Sequence, residues 1–97
     1  MASTREKRAL VLLAPGAEEM ETVIPVDVLR RCGARVALAG LEGSGPVACS
    51  RGVRLLPDHS LEQALASGAA FDLVAVPGGA EGAEALARSP RVPALLP

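Results

Sequence analysis

The chain has 97 residues, of which 49% are hydrophobic, 22% are charged and 1% are aromatic. Its ten basic and eleven acidic residues give a formal net charge of −1, which argues against a direct nucleic-acid ligand and against binding to an anionic membrane surface. The length allows one domain at most, with a core built from small aliphatic side chains.

Cysteine and histidine usage argues against the usual metal and disulfide frameworks. The chain contains two cysteines, Cys32 and Cys49, and one histidine, His59, without CxxC or zinc-ligand spacing. It has neither a G-x-G-x-x-G nor a Walker sequence, so we expect no metal and no cofactor. The apolar run at 9–14 is shorter than a signal-peptide core or a membrane span, and we expect a soluble intracellular protein.

Three short apolar runs predict buried parallel strands, at 9–14, 34–40 and 72–79. Between the first two, apolar residues recur every three or four positions, which predicts an amphipathic helix that ends before Gly33. Parallel strands joined by a helix imply a right-handed crossover. The predicted apolar face of this helix consists of Met20, Val23, Ile24, Val28 and Cys32.

The middle of the chain is rich in glycine and proline and predicts loops around two small strands, at about 47–49 and 53–56. Asp58 or Ser60 then offers an N-cap for a short helix at 60–67. A helix-like segment, AEGAEALARS, follows the last strand. Together these elements predict an α/β fold with a parallel sheet. A doubly wound sheet usually has at least one more strand than the sequence indicates here.

The segment GAEEMETVIPVDVLRR raises the main functional question, because three glutamates open the predicted helix. Acids in a first helical turn interact favourably with the helix dipole, which is the simplest interpretation of any one of them. Glu21 differs because Pro25, four residues later, cannot donate a helical hydrogen bond to its carbonyl, so we expect a kinked or loosened helix there. Glu21 also follows the carboxyl end of a strand, where ligands bind in open α/β sheets. Held partly away from water, it is the best acid/base candidate in the chain.

Gly78 and Gly79 form the second candidate feature, at the end of the third apolar run. In the sequence VPGG we expect a strand to end in a tight turn. The backbone N–H groups of that turn should lie at the carboxyl edge of the sheet, as Glu21 does. Such groups suit an anion or a developing oxyanion. The simpler interpretation is a plain turn.

The cysteines offer weaker candidates for chemistry. Cys32 lies on the predicted apolar helix face, where we expect it to be a core residue. Cys49 lies beside Arg51, which would modestly favour the thiolate, so Cys49 is a redox candidate. No catalytic triad can be assembled around it, and we expect His59 to face solvent ahead of a helix.

Three segments, KRALVLLAPGAEEMETVIPVDVLRRCGARVALAGLEG, VACSRGV and DLVAVPGGAEGA, together resemble the N-terminal half of the ThiJ/PfpI superfamily, most closely its parkinsonism-associated deglycase branch. The resemblance implies a flavodoxin-like three-layer α/β sandwich, truncated here, and a homodimer. It implies a role in oxidative and carbonyl stress, in the cytoplasm with nuclear and mitochondrial pools. The implied activities are deglycation of glyoxal and methylglyoxal adducts, glyoxalase-type hydration and a redox-regulated chaperone role.

The resemblance also implies roles for particular residues. The family's active-site glutamate, which hydrogen-bonds a reactive cysteine, falls on Glu21. The glycines on the oxyanion side fall on Gly78 and Gly79. An arginine that reaches across the dimer toward the partner's site falls on Arg51, and a secondary oxidisable cysteine falls on Cys49.

The departures from the family pattern are equally specific. The family's nucleophilic cysteine lies on a strand-to-helix elbow that this chain does not reach, and Leu56 replaces a cysteine of the dimer interface. Glu18 and Glu19 are then interpreted as ordinary helix-start acids.

The resemblance divides the chain into three ranges. We expect an N-terminal extension at 1–8, a partial ThiJ/PfpI domain at 9–90 and a divergent proline-rich tail at 91–97.

Two functions of different classes remain open. In the first, the chain is the N-terminal half of a cysteine-dependent deglycase or glyoxalase-like hydrolase, acting on small carbonyl adducts such as methylglyoxal-modified groups. In the second, it is a catalytically inactive truncated isoform or fragment that acts through protein–protein interaction or chaperone-like binding. We expect the 97 residues alone to be inactive, since they lack the nucleophile.

Overall fold

A computed structural model describes residues 6–79 of the chain. The strands are β1 (Arg8–Leu13), β2 (Arg35–Gly40), β3 (Val47–Ala48), β4 (Arg54–Leu55), β5 (His59–Ser60) and β6 (Leu73–Ala75), and the helices are α1 (Glu19–Arg31) and α2 (Leu61–Ala66). The predicted helix in AEGAEALARS and the proline-rich tail lie outside the described residues.

Four strands form one parallel sheet in the order β5-β2-β1-β6. In the centre of the sheet, Val11 of β1 lies between Leu38 of β2 and Ala75 of β6. The three predicted parallel strands are confirmed, although β6 ends four positions before the predicted end at residue 79. The short edge strand β5 was not predicted. Strands β3 and β4 are present near the predicted positions and form a separate antiparallel pair.

The side chains of β1 alternate between two core clusters, one on each face of the sheet. This alternation places α1 over one face and α2 over the other, which is the three-layer arrangement of a flavodoxin-like sandwich. The cluster under α2 consists of Leu10, Leu12, Ala14, Ala39, Leu61 and Ala64. The cluster under α1 consists of Val11, Leu13, Ala17, Val26, Leu38 and Cys49.

The predicted orientation of α1 is wrong. Its buried residues are Glu19, Thr22 and Val26, whereas the predicted apolar face is exposed. The exposed fractions are 65% for Met20, 44% for Val23, 54% for Ile24 and 49% for Val28, and Cys32 is exposed as well. Val26 packs in the core cluster on the sheet, and hydrogen bonds described below hold Glu19 on the same buried side of the helix.

The ends of both helices follow recognisable local signals. Glu18 is the N-cap of α1 and accepts a hydrogen bond from the Met20 amide at 3.1 Å. The helix runs without interruption through Pro25, so the predicted loosening does not break it. Ser60 rather than Asp58 is the N-cap of α2, where it forms a capping box with Gln63.

Candidate functional site

The candidate site lies at the carboxyl edge of the sheet, where the loops after β1 and β6 meet. The Glu18 amide donates to the Gly78 carbonyl at 2.9 Å, and the Gly78 amide donates to Oε1 of Glu21 at 3.0 Å. The fold therefore brings together Glu21 and Gly78, two of the predicted site residues, from distant parts of the sequence.

Both glycines of the VPGG turn are close to the segment that begins α1. A Cβ atom on Gly78 would lie 2.7 Å from Oε1 of Glu21. On Gly79, whose φ is +111°, it would lie 2.6 Å from the Gly16 carbonyl oxygen and 2.8 Å from the Glu18 amide nitrogen. The close approach of the two loops therefore requires glycine at 79 for both space and backbone conformation.

Glu21 is exposed, so the expectation that it is held partly away from water is wrong for the described part of the chain. It borders an open groove with Ile24, Pro25, Val76 and Pro77. A carboxylate with one oxygen anchored by a backbone N–H, beside an open and mostly apolar groove, is suited to exchange a proton with a group that enters from that side.

Glu19 was interpreted from the sequence as helix decoration, but its carboxylate is buried. Oε1 accepts a hydrogen bond from Ser50 Oγ at 2.9 Å, and Oε2 accepts from the amides of Arg51 at 2.7 Å and Val53 at 3.2 Å. Burial alone would raise the pKa of Glu19, but these bonds and one from its own amide favour the charged form, so its pKa is lowered. No local sequence signal separates Glu19 from its acidic neighbours.

Cys49 is 6% exposed and packs in the core cluster under α1. Burial raises the pKa of its thiol, and the negative charges of Glu19 and Glu18 raise it further. The prediction that neighbouring Arg51 favours the thiolate is therefore wrong, because desolvation and the two carboxylates favour the neutral thiol. Arg51 itself is exposed on the turn between β3 and β4.

The remaining sequence candidates are His59 and Cys32. His59 is exposed in β5, as expected, and Cys32 is exposed at the end of α1, which corrects its predicted place in the core. Within residues 6–79 no cluster of side chains is suited to hold a metal ion. In the same range no helix has the length and apolar character needed to cross a membrane.

The chain is similar in sequence to known proteins. Residues 7–96 match the model of the DJ-1/PfpI family. The chain is 59% identical over 90 residues to the Parkinson disease protein 7 homolog of Danio rerio, covering 93% of this chain and 47% of that protein. It is 40% identical over 92 residues to a protein of Caenorhabditis elegans named glutathione-independent glyoxalase DJR-1.2, covering 94% and 47%.

The fold agrees with solved structures of such proteins. The crystal structure of Drosophila melanogaster DJ-1beta superimposes with a TM-score of 0.88 at 52% identity, covering 94% of this chain and 48% of that one. The chain thus spans about half the length of the curated relatives it matches. The matched residues, the identities and the shared fold agree, and the chain belongs to the DJ-1/PfpI family.

Proposed function

We propose that this chain supplies the glutamate side of a cysteine-dependent glyoxalase or deglycase site that acts in carbonyl and oxidative stress. The observation that carries the proposal is the 3.0 Å hydrogen bond from the Gly78 amide to Oε1 of Glu21, which anchors a carboxylate at the ligand-binding edge of the sheet. The name of the C. elegans relative, a glutathione-independent glyoxalase, supports this class of chemistry. The proposed substrates are methylglyoxal and groups modified by it.

The proposed role of Glu21 is proton transfer with a cysteine thiol other than those of Cys32 and Cys49. The chain's own cysteines are unsuited to that role, because Cys32 lies at the opposite end of α1 and Cys49 is buried with a raised pKa. The carboxylate takes the thiol proton as sulfur attacks the carbonyl carbon. The C=O π electrons move onto the carbonyl oxygen in the same step. The protonated Glu21 carboxyl then gives its proton to that oxyanion, and a neutral hemithioacetal forms.

The backbone of the VPGG turn is the proposed oxyanion side of the same site. The Gly78 amide already donates to Glu21, so a developing oxyanion competes with the carboxylate for that donor. Protonation of Glu21 weakens it as an acceptor at the moment when negative charge builds on the substrate oxygen. The Gly78 donor is then better placed to serve the oxyanion.

A chimera tests the proposal directly. This chain replaces the segment of the C. elegans glyoxalase that it matches, and methylglyoxal consumption is measured. We expect turnover in the chimera and a loss of roughly a hundredfold or more in kcat with Glu21→Gln, the scale of a lost general acid–base group. Glu62→Gln, an exposed acid in the first turn of α2, is the matched control. A folded chimera in which Glu21→Gln retains full kcat would contradict the proposal.

A second candidate function is binding without catalysis, and the exposed apolar stripe on α1 favours it. Met20, Val23, Ile24 and Val28 form this stripe, and apolar surface of this kind is typical of a protein interface. The proposed occupant is a second DJ-1/PfpI chain, as in the homodimer that the family resemblance implies. Chaperone-like binding and the cytoplasmic, nuclear and mitochondrial pools belong to the same set of proposals.

A further inference from the structure

The turn between β3 and β4 carries Arg51 and is closed by its own backbone. The Cys49 amide donates to the Val53 carbonyl at 2.8 Å, and the Gly52 amide donates to the Cys49 carbonyl at 3.0 Å. These bonds give the turn its internal shape but do not orient it against the rest of the fold. That orientation depends on contacts with other segments.

Four hydrogen bonds connect this turn to the start of α1. The Ser50 amide donates to the Ala17 carbonyl at 2.8 Å, and the carboxylate of Glu19 accepts from the Ser50 hydroxyl and from the amides of Arg51 and Val53. Both carboxylate oxygens of Glu19 are therefore committed to one turn. An acid that served only the helix dipole would need none of these bonds.

The neighbouring acid already performs the capping role. Glu18 caps α1 by accepting from the Met20 amide, so Glu19 is not needed as the N-cap. Its burial is compensated by three hydrogen bonds, two of them from backbone amides. The arrangement is that of a side chain that joins two segments.

We propose that Glu19 is a positioning residue that fixes the backbone of Arg51 relative to the start of α1, and so sets the position from which Arg51 reaches toward the partner's site. Glu19 and Glu21 lie in the first turn of the same helix, so one rigid element holds both the proposed acid/base group and the turn that carries Arg51. The Arg51 amide nitrogen is 2.7 Å from Oε2 of Glu19. This bond fixes the backbone position from which the arginine side chain extends. The link to catalysis rests on the proposed function, whereas the anchoring of the turn does not.

Three substitutions at Glu19 separate geometry from charge. In Glu19→Gln the side-chain oxygen can still accept from both amides while the NH₂ group donates to Ser50 Oγ, so the turn stays anchored. Glu19→Asp is one methylene shorter and loses reach. Glu19→Ala removes all three bonds. A positioning role predicts that Gln preserves what Asp and Ala lose.

The anchoring is tested by amide hydrogen exchange on the full 97-residue chain. We expect protection of the Arg51 and Val53 amides to fall about tenfold or more in Glu19→Asp and Glu19→Ala but to be largely kept in Glu19→Gln. The Leu10 amide in the central strand is the internal reference for the global fold. If Glu19→Ala unfolds the chain, Glu19→Asp provides the comparison. Unchanged protection in the Asp variant, or equal loss in the Gln and Asp variants, overturns the proposal.

The link to catalysis is tested in the chimera described above. Misplacement of Arg51 should lower kcat/KM by up to about a hundredfold in Glu19→Asp, mainly through KM, with recovery in Glu19→Gln. A chimera that is inactive before any substitution contradicts the proposed function but leaves the exchange result standing. Loss of protection with unchanged kcat/KM overturns the catalytic part of this inference alone.

Discussion

The Gly78 amide donates a hydrogen bond to the Glu21 carboxylate across a sequence separation of 57 residues. The bond joins the loop after β6 to the first turn of α1, and the Glu18 amide returns a bond to the Gly78 carbonyl. The two loops are therefore held in register by a reciprocal pair of contacts. Any change that separates them should alter the position of Glu21 before it alters the core.

Alanine substitution at the two VPGG glycines should have unequal effects on stability. In Gly78→Ala the new Cβ meets the far end of the flexible Glu21 side chain, so we expect a change in the free energy of unfolding within about 0.5 kcal/mol. In Gly79→Ala it meets backbone atoms of Gly16 and Glu18 at a φ of +111°, so we expect a loss of about 1–3 kcal/mol or more. Urea unfolding measures both.

Gly45→Ala is the control for this pair, because a Cβ there meets nothing within 4 Å. It should leave the unfolding midpoint nearly unchanged. Equal destabilisation by Gly78→Ala and Gly79→Ala would show that the close approach of the two loops is not as described.

Alkylation should distinguish the two cysteines. Cys32 is exposed whereas Cys49 is buried with a raised pKa, so iodoacetamide at neutral pH should modify Cys32 first. In a Cys32→Ser background, Glu18→Gln should speed modification of Cys49 by removing one of the charges that raise its pKa. Mass spectrometry of timed samples measures both rates, and faster modification of Cys49 than of Cys32 would contradict its burial.

The lowered pKa of Glu19 predicts a specific pH dependence of stability. Its ordinary value is 4.5 and its folded value is lower, so the folded state favours the charged form. The resulting stabilisation is fully present above pH 4.5 and is lost as the pH falls through the folded value. Urea unfolding across this range should show a steeper acid loss for the wild-type chain than for Glu19→Gln. Identical acid losses would argue against the hydrogen bonds from the 50–53 turn.

The exposed stripe on α1 predicts self-association through that helix. Ile24→Asp places a charge within the stripe and should weaken a homodimer by about thirtyfold or more, the scale of a lost interface anchor. Ala70→Asp, an exposed position outside the helices and strands, is the control. Sedimentation velocity over a concentration series measures the effect. A dimer unaffected by Ile24→Asp would place the interface elsewhere.

Local patterns predicted much of the fold. Parallel strands buried on both faces appear as continuous apolar runs, which is why β1 and β2 were located to within one residue. Strand β5 is not predictable from the sequence because its two residues, His59 and Ser60, are too few to show a periodic pattern. They pair with the last two residues of β2. The face of α1 was predicted wrongly because periodicity marks an apolar stripe without indicating what covers it.

The candidate site was predictable only where motif and resemblance coincided. Glu21 and Gly78 were selected from the sequence and lie in contact. The sequence indicates only an ordinary helix-start acid at Glu19, which lies two positions from Glu21, a rotation of about 200° around the helix. That rotation turns one carboxylate toward the 50–53 turn and leaves the other at the open edge.

The sequence by itself determined the layers of this protein and the residue types at its sheet edge, because hydrophobic periodicity and turn residues act over a few neighbouring positions. Only the tertiary structure decided which of several chemically identical carboxylates is buried, which glycine admits no Cβ and which helix face remains exposed. Those outcomes depend on distances between segments far apart in the chain, as in the contact between Glu21 and Gly78. Such distances are set by packing of the whole fold.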